Sequence, residues 1–285
     1  MSELTTAASA PSSQRRVLSA ARQAQKVRRW GWWYQAEWRL FSMKAYLSSV
    51  FGWSVLMPAL YVVATGIGLG TLVDDRTGGI GGVSYLVFVA PGLLASTAVM
   101  SFANEMMFPV MGGFKWQKLY FARAATAASA GQVAAGELVA VGIRSLVESG
   151  IFWLVLVALG ATTPGWSALM IPIAALAGLA MGAPIAAYSA TLENEGFQFS
   201  MIQRFVLTPM MLFAGTFYPL ETMPSYLQWI GWISPMWHGT QLARLVGFGL
   251  PQSALEVATH LLFLVTLATI GIVFTVRNFT RRLSR

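Results

Sequence analysis

Six stretches of this chain, at 47–69, 85–106, 139–160, 166–192, 203–220 and 257–276, carry almost no charge and are long enough to cross a lipid bilayer. A helix rises about 1.5 Å per residue, so roughly 20 mostly apolar residues cover a hydrocarbon core of about 30 Å. Backbone polar groups in lipid must be satisfied within the segment, which leaves helices as the reading for runs of this length. The expected fold is therefore an all-α polytopic membrane protein with six transmembrane helices. Charged residues make up 11% of the 285 positions, against about 25% in a soluble domain.

Basic residues between the stretches fall on one side. Eight precede the first (Arg15, Arg16, Arg22, Lys26, Arg28, Arg29, Arg39, Lys44), three lie in the second connection (Lys115, Lys118, Arg123), one in the fourth (Arg204) and four follow the last (Arg277, Arg281, Arg282, Arg285). The opposite connections hold only Arg76 and Arg244. Cytoplasmic connections are enriched in Lys and Arg, so both termini are expected in the cytoplasm. An even number of spans requires the same. The net charge of +8 then acts on topology and anionic lipid, with no call on nucleic acid. Zero cysteines exclude thiol metal sites, catalytic thiols and disulfides, and leave the redox compartment undetermined.

Residues 1–27, rich in Ser, Ala, Gln and Arg, read as a disordered basic cytoplasmic arm ahead of one membrane domain over 28–285. No apolar core follows the arm's basic residues in the window of a cleavable signal peptide. From 28 to 44, Trp30, Trp33, Tyr34, Trp38 and Phe41 recur at helical spacing, with Gln35, Arg39 and Ser42 on another face. That pattern predicts an N-terminal amphipathic helix at the cytoplasmic interface. Simple anchoring of the first span is the plainer alternative.

Two connections are too structured for linkers. Over about 113–125, Lys115, Lys118 and Arg123 are interleaved with Trp116, Leu119, Tyr120 and Phe121, which predicts a short cytoplasmic helix whose aromatic side docks into a partner. Contact with lipid headgroups alone is the alternative. Over about 221–247, Met223-Pro224 is expected to open a helix filled by Trp229, Ile230, Trp232 and Ile233, and Pro235 to end it. A second short helix then carries Trp237 and His238. Neither is long enough to span, so the pair reads as an external re-entrant helical hairpin between spans five and six, touching whatever passes.

Ionisable residues within the stretches are few. Arg144 and Glu148 stand one helical turn apart and can pair; a structural pair and a gate both stay open. Glu105 closes the second span and reads as exposed to water. His238 and His260 are too distant in sequence and too poor in companions for a metal site, so each reads as a hydrogen-bonded histidine. Gly178 and Gly182 form a small-x-x-x-small pair suited to close helix approach. No set of His, Asp, Glu or Cys has catalytic or ligand spacing, which weighs against an intramembrane lipid-modifying enzyme. A passive channel or scaffold is a third class.

Phe213-Ala214-Gly215-Thr216-Phe217-Tyr218-Pro219-Leu220, Met223-Pro224 and Ile233-Ser234-Pro235-Met236-Trp237-His238-Gly239, together with Arg244, resemble the signature of type-2 ABC exporter permeases. The branch they are most similar to holds nodulation lipo-oligosaccharide, daunorubicin-type drug and polysaccharide exporters. Gly136-Glu137 matches as well, whereas Ala124-Ala125-Thr126 lacks the Thr-Pro pair common in the family. The resemblance implies a permease subunit, not an enzyme, in the bacterial cytoplasmic membrane. It would move a lipid-linked glycan, glycolipid or hydrophobic drug outward. It also implies that this chain binds no cofactor, that two ATPase subunits bind ATP and Mg, and that a second permease copy or homologue completes a dimer. The chain itself has no Gly-x-x-x-x-Gly-Lys-[Ser/Thr] phosphate loop. By the same resemblance Lys115, Trp116, Lys118, Tyr120 and Arg123 would meet the ATPase. Phe217, Tyr218, Trp229, Trp232, Trp237 and His238 would line the external substrate path.

Overall fold

Among the described residues, length and apolarity pick out four helical runs able to cross a membrane: Tyr85–Lys115, Ala130–Ala158, Trp166–Ser189 and Ala254–Leu283. The computed structural model describes residues 12–44, 52, 56–163, 165–194 and 196–285, and among these the chain is helical with no strand. In chain order the helices are α1 (Ser12–Met43), α2 (Met57–Val62), α3 (Gly70–Thr77), α4 (Tyr85–Met106), α5 (Phe108–Lys115) and α6 (Leu119–Ala124). They continue with α7 (Ala130–Ala158), α8 (Met170–Ser189), α9 (Gln198–Ile202), α10 (Thr208–Phe213), α11 (Ser225–Trp232), α12 (Pro235–Phe248) and α13 (Ala254–Leu283).

Several boundaries differ from the expected ones. The disordered arm over 1–27 is replaced, from Ser12 onward, by the start of α1. The expected first span, 47–69, lies partly outside the described residues; its described end is α2 followed by a π-helical turn, Val63–Leu69. The fifth, expected over 203–220, is a shorter helical run over 198–213 with its own π-turn at Gln203–Leu207. It stops because Gly215 adopts φ +71°, a left-handed conformation that breaks the helix and that glycine tolerates at little cost.

Helix α8 is the hub, packing against α4, α13, α12 and α7. The small-residue pair sets its closest approach. A Cβ built on Gly182 would stand 2.1 Å from Phe102 Cδ1, and one on Gly178 would stand 3.0 Å from Ala98 O, both in α4. Gly271 of α13 approaches Pro184 of α8 as tightly. In lipid, where burial between helices gives no hydrophobic gain, such close packing carries the association. We expect Gly182→Leu to cost about 1–3 kcal/mol by overpacking, read as a lowered melting temperature of the detergent-solubilised protein. Gly142→Leu, whose added Cβ would meet nothing within 4 Å, should leave it unchanged.

Candidate functional site: a charged layer and a helical hairpin

The bundle has two polar layers at opposite ends. One gathers the C-termini of α4, α8 and α13, the N-terminus of α7, and α1. Capping fixes the start of α7: Ser129 and Gln132 form a reciprocal capping box, and Gln132 Nε2 also donates to the carbonyls of Val27 and Arg28 in α1. Helix α1 then crosses α7 so closely that a Cβ on Gly136 would lie 2.9 Å from Ala36 N. The polar face of α1, with Gln35 and Arg39, is turned inward, while Trp30, Trp33, Tyr34, Trp38 and Phe41 stay exposed.

That inward face completes a chain of ion pairs. Arg144 Nε lies 2.7 Å from Glu148 Oε1, Arg144 Nη1 lies 2.5 Å from Glu105 Oε1, and Arg39 Nη2 lies 3.0 Å from Glu105 Oε2. Arg39 Nε also touches Glu137 Oε1 at 2.7 Å without the alignment of a hydrogen bond. Arg123 Nη1 reaches Glu137 Oε2 at 3.2 Å, and Ser101 donates to Glu148 at 2.7 Å. Arg39, Arg123 and Arg144 thus face Glu105, Glu137 and Glu148, so the layer is neutral as a whole. Glu105, read from the sequence as exposed to water, is bridged by two arginines.

The segment expected as one helix over 113–125 is two, α5 and α6, separated by Lys118 at φ +49°. Such a conformation costs a non-glycine residue about 1 kcal/mol or more, so the sharp turn is held by its surroundings. Those are an aromatic cluster and Arg123. Phe114, Tyr120 and Phe279 of α13 lie with ring centroids 4.6–5.0 Å apart. Arg123 donates to Gln35 Oε1 at 2.5 Å and to Gln35 O at 3.1 Å. Burial, reinforced by the charge of Glu137, pushes the Tyr120 hydroxyl well above its ordinary pKa. Of the five residues named for partner contact, Tyr120 and Arg123 face inward, with 2% and 6% exposed, Lys115 is half-buried, and Trp116 and Lys118 are exposed.

At the opposite end the chain after α10 folds back. Pro235, expected to end the first short helix, opens α12, with Ser234 capping it through Met236 N. Helix α12 begins deep: Gly239 meets Ala95 and Ala177, and Gly247 meets Pro91 and Met170 near the ends of α4 and α8. Its Arg244, 2% exposed, donates to Gly215 O at 2.8 Å, Thr216 O at 3.2 Å and Phe88 O at 3.3 Å, with its guanidinium 3.7 Å from the Phe88 ring centre. The carbonyls of Gly215 and Thr216 lie at the break after α10, where no helical N–H follows to bond them, and that of Phe88 lies in the first turn of α4. Ser96 bonds Thr216 at 2.8 Å.

The other named residues surround this knot. Phe217 packs on Tyr61 with ring centres 5.8 Å apart, and Tyr218 donates to Leu212 O at 2.9 Å. Trp229 and Trp232 are exposed, Trp237 is half-buried, and His238 is buried. His238 and His260, distant in sequence, meet Nδ1 to Nδ1 at 2.7 Å. Among the described residues no group of three His, Cys, Asp or Glu is placed to hold a metal ion. Sequence reasoning missed Arg39, Glu105 and Glu137 as one unit and the bonding role of Arg244. The available signal was three acids and three bases near the same ends of apolar stretches.

The family model for ABC-2 type transporters matches residues 34–248, a range that holds the charged layer and the hairpin alike. Nodulation protein J of Rhizobium meliloti (strain 1021) is 29% identical over 259 residues, 89% of this chain and 95% of that protein. Nodulation protein J of Rhizobium leguminosarum bv. viciae is 29% identical over 256 residues, and that of Bradyrhizobium diazoefficiens 28% over 257, each covering 88% of this chain. A match this extensive, over a bundle of apolar helices, shows a multi-pass transporter subunit of the bacterial inner membrane whose ATPase is a separate chain, and this protein belongs to the ABC-2 type transporter family.

Proposed function

We propose that the chain is the membrane half of an ATP-driven exporter, moving an amphipathic molecule such as a lipid-linked glycan, glycolipid or hydrophobic drug outward. In this reading it has six spans with both termini in the cytoplasm, works as a dimer with a second copy or a homologue, and is driven by two ATPase subunits. The observation that carries it is the docking of the α5–α6 segment. Its inner side is tied to α1 and α7 through Arg123 and to α13 through Tyr120, while Trp116, Lys118 and Phe121 stay exposed. A push on that outer side would reach three long helices through rigid, short contacts. Lys115, Trp116 and Lys118 are the proposed ATPase contacts; Tyr120 and Arg123 transmit.

The experiment is co-purification of the full chain with its ATPase subunit, the two produced together. Trp116→Ala combined with Lys118→Glu should lower the recovered ATPase at least tenfold while leaving the melting temperature unchanged, since both side chains lie outside the packed cluster. Retention of the ATPase by this variant would refute the assignment.

A further inference from the structure

A cavity of about 750 Å³ opens between the α10–α11 connection, α12 and the start of α13. Its walls combine indole rings, Trp232 and Trp237, the latter with its Nε1 donor unpaired, with several hydrogen-bond acceptors. Gln252 donates its Nε2 to Gln241 O at 2.8 Å, which fixes the amide and leaves Oε1 unpaired; Gln241 Oε1 is unpaired as well. Glu221 and Glu256 add two carboxylates.

The histidine pair supplies a further acceptor by its own geometry. His238 Nε2 lies 3.0 Å from Trp232 O, and a carbonyl only accepts, so that nitrogen carries a proton. With both rings neutral, His238 Nδ1 then accepts from His260 Nδ1 at 2.7 Å. His260 Nε2 is left bare on a 6% exposed residue of the cavity wall, with no partner among the described residues. Arg244, the cation at the base, turns its Nε and Nη2 away to three carbonyls. Unpaired acceptors, carboxylates and aromatic faces together suit a ligand that brings N–H donors and positive charge, because ring faces attract cations and unmet polar groups reward a partner.

We propose that this cavity is a binding site for an organic cation, a protonated amine carried on an apolar or aromatic body. The site stands as a binding site in its own right and does not rest on the export reading.

The test uses the full chain in phosphatidylcholine nanodiscs, titrated with the cationic dye rhodamine 6G and followed by fluorescence anisotropy. Saturable binding is expected, displaced by 2-phenylethylamine at a concentration at least tenfold below that of neutral 2-phenylethanol or of diacetylchitobiose. Glu221→Gln with Glu256→Gln should weaken dye binding at least tenfold. Glutamine at 256 preserves the capping box that Ser253 and Glu256 form at the start of α13. Should the double variant fail to fold, Glu256→Gln alone serves, with at least a threefold loss expected. Equal displacement by the alcohol or the disaccharide, or dye affinity unchanged in the folded variant, would overturn the proposal.

Discussion

Glu137→Ala should destabilise the protein by about 3–5 kcal/mol, the range for removing one partner of a buried ion pair. Glu137 is 2% exposed and faces two guanidiniums, Arg39 and Arg123. Without it, Arg39 keeps Glu105, but Arg123 is left buried with no carboxylate, facing the neutral oxygens of Gln35 and the rings of Trp38 and Tyr120. Desolvation of that unmatched charge outweighs the few apolar contacts the alanine retains. Since whole domains are stable by only about 5–15 kcal/mol, a large fall in melting temperature in detergent is the expected readout. Arg123→Met with Glu137→Met should recover much of the loss, because an apolar pair of similar volume removes both charges together. Equal melting of the Glu137→Ala variant and the parent would show that the layer carries no such load.

The same layer explains what was legible beforehand. Periodicity and length carry α4, α7, α8 and α13, because in lipid a helix is dictated by its own residues. The pairing of Arg144 with Glu148 is likewise local, one turn apart on α7. Glu105, Arg39 and Glu137 belong to three helices, and their meeting follows from the crossing of α1 over Gly136, a tertiary fact with no counterpart in local spacing. The division of the 113–125 segment was hidden for a related reason. Lys118 is a poor residue for a left-handed turn, and the packing of Phe114 and Tyr120 on Phe279, with the anchoring of Arg123, holds it there. The hairpin was legible through its prolines, yet the direction of its second helix, inward against α4 and α8, rests on small residues such as Gly239 and Gly247 meeting partners far along the chain.

Arg244→Met should free the hairpin while leaving the rest of the bundle folded. Arginine is the side chain whose planar donors can serve several carbonyls at once, and here they serve Phe88, Gly215 and Thr216. Methionine fills a similar volume and ends the cost of burying an unpaired cation, but it leaves the Gly215 and Thr216 carbonyls dry. Each unmet group costs about 1–3 kcal/mol, so the loss outweighs the gain, and water entry at the Ala214–Thr216 break is the least costly remedy. Because the chain has no cysteine, a single Tyr218→Cys substitution reports on that break without background. In the Arg244→Met protein its labelling by a soluble maleimide should be at least tenfold faster than in the parent. Arg244→Lys should fall between, since one ammonium cannot span three carbonyls held by two separate elements. Labelling rates that are the same in all three proteins would mean that the break is held by Ser96 and Thr216 alone, and that the arginine is a passenger in its own cavity.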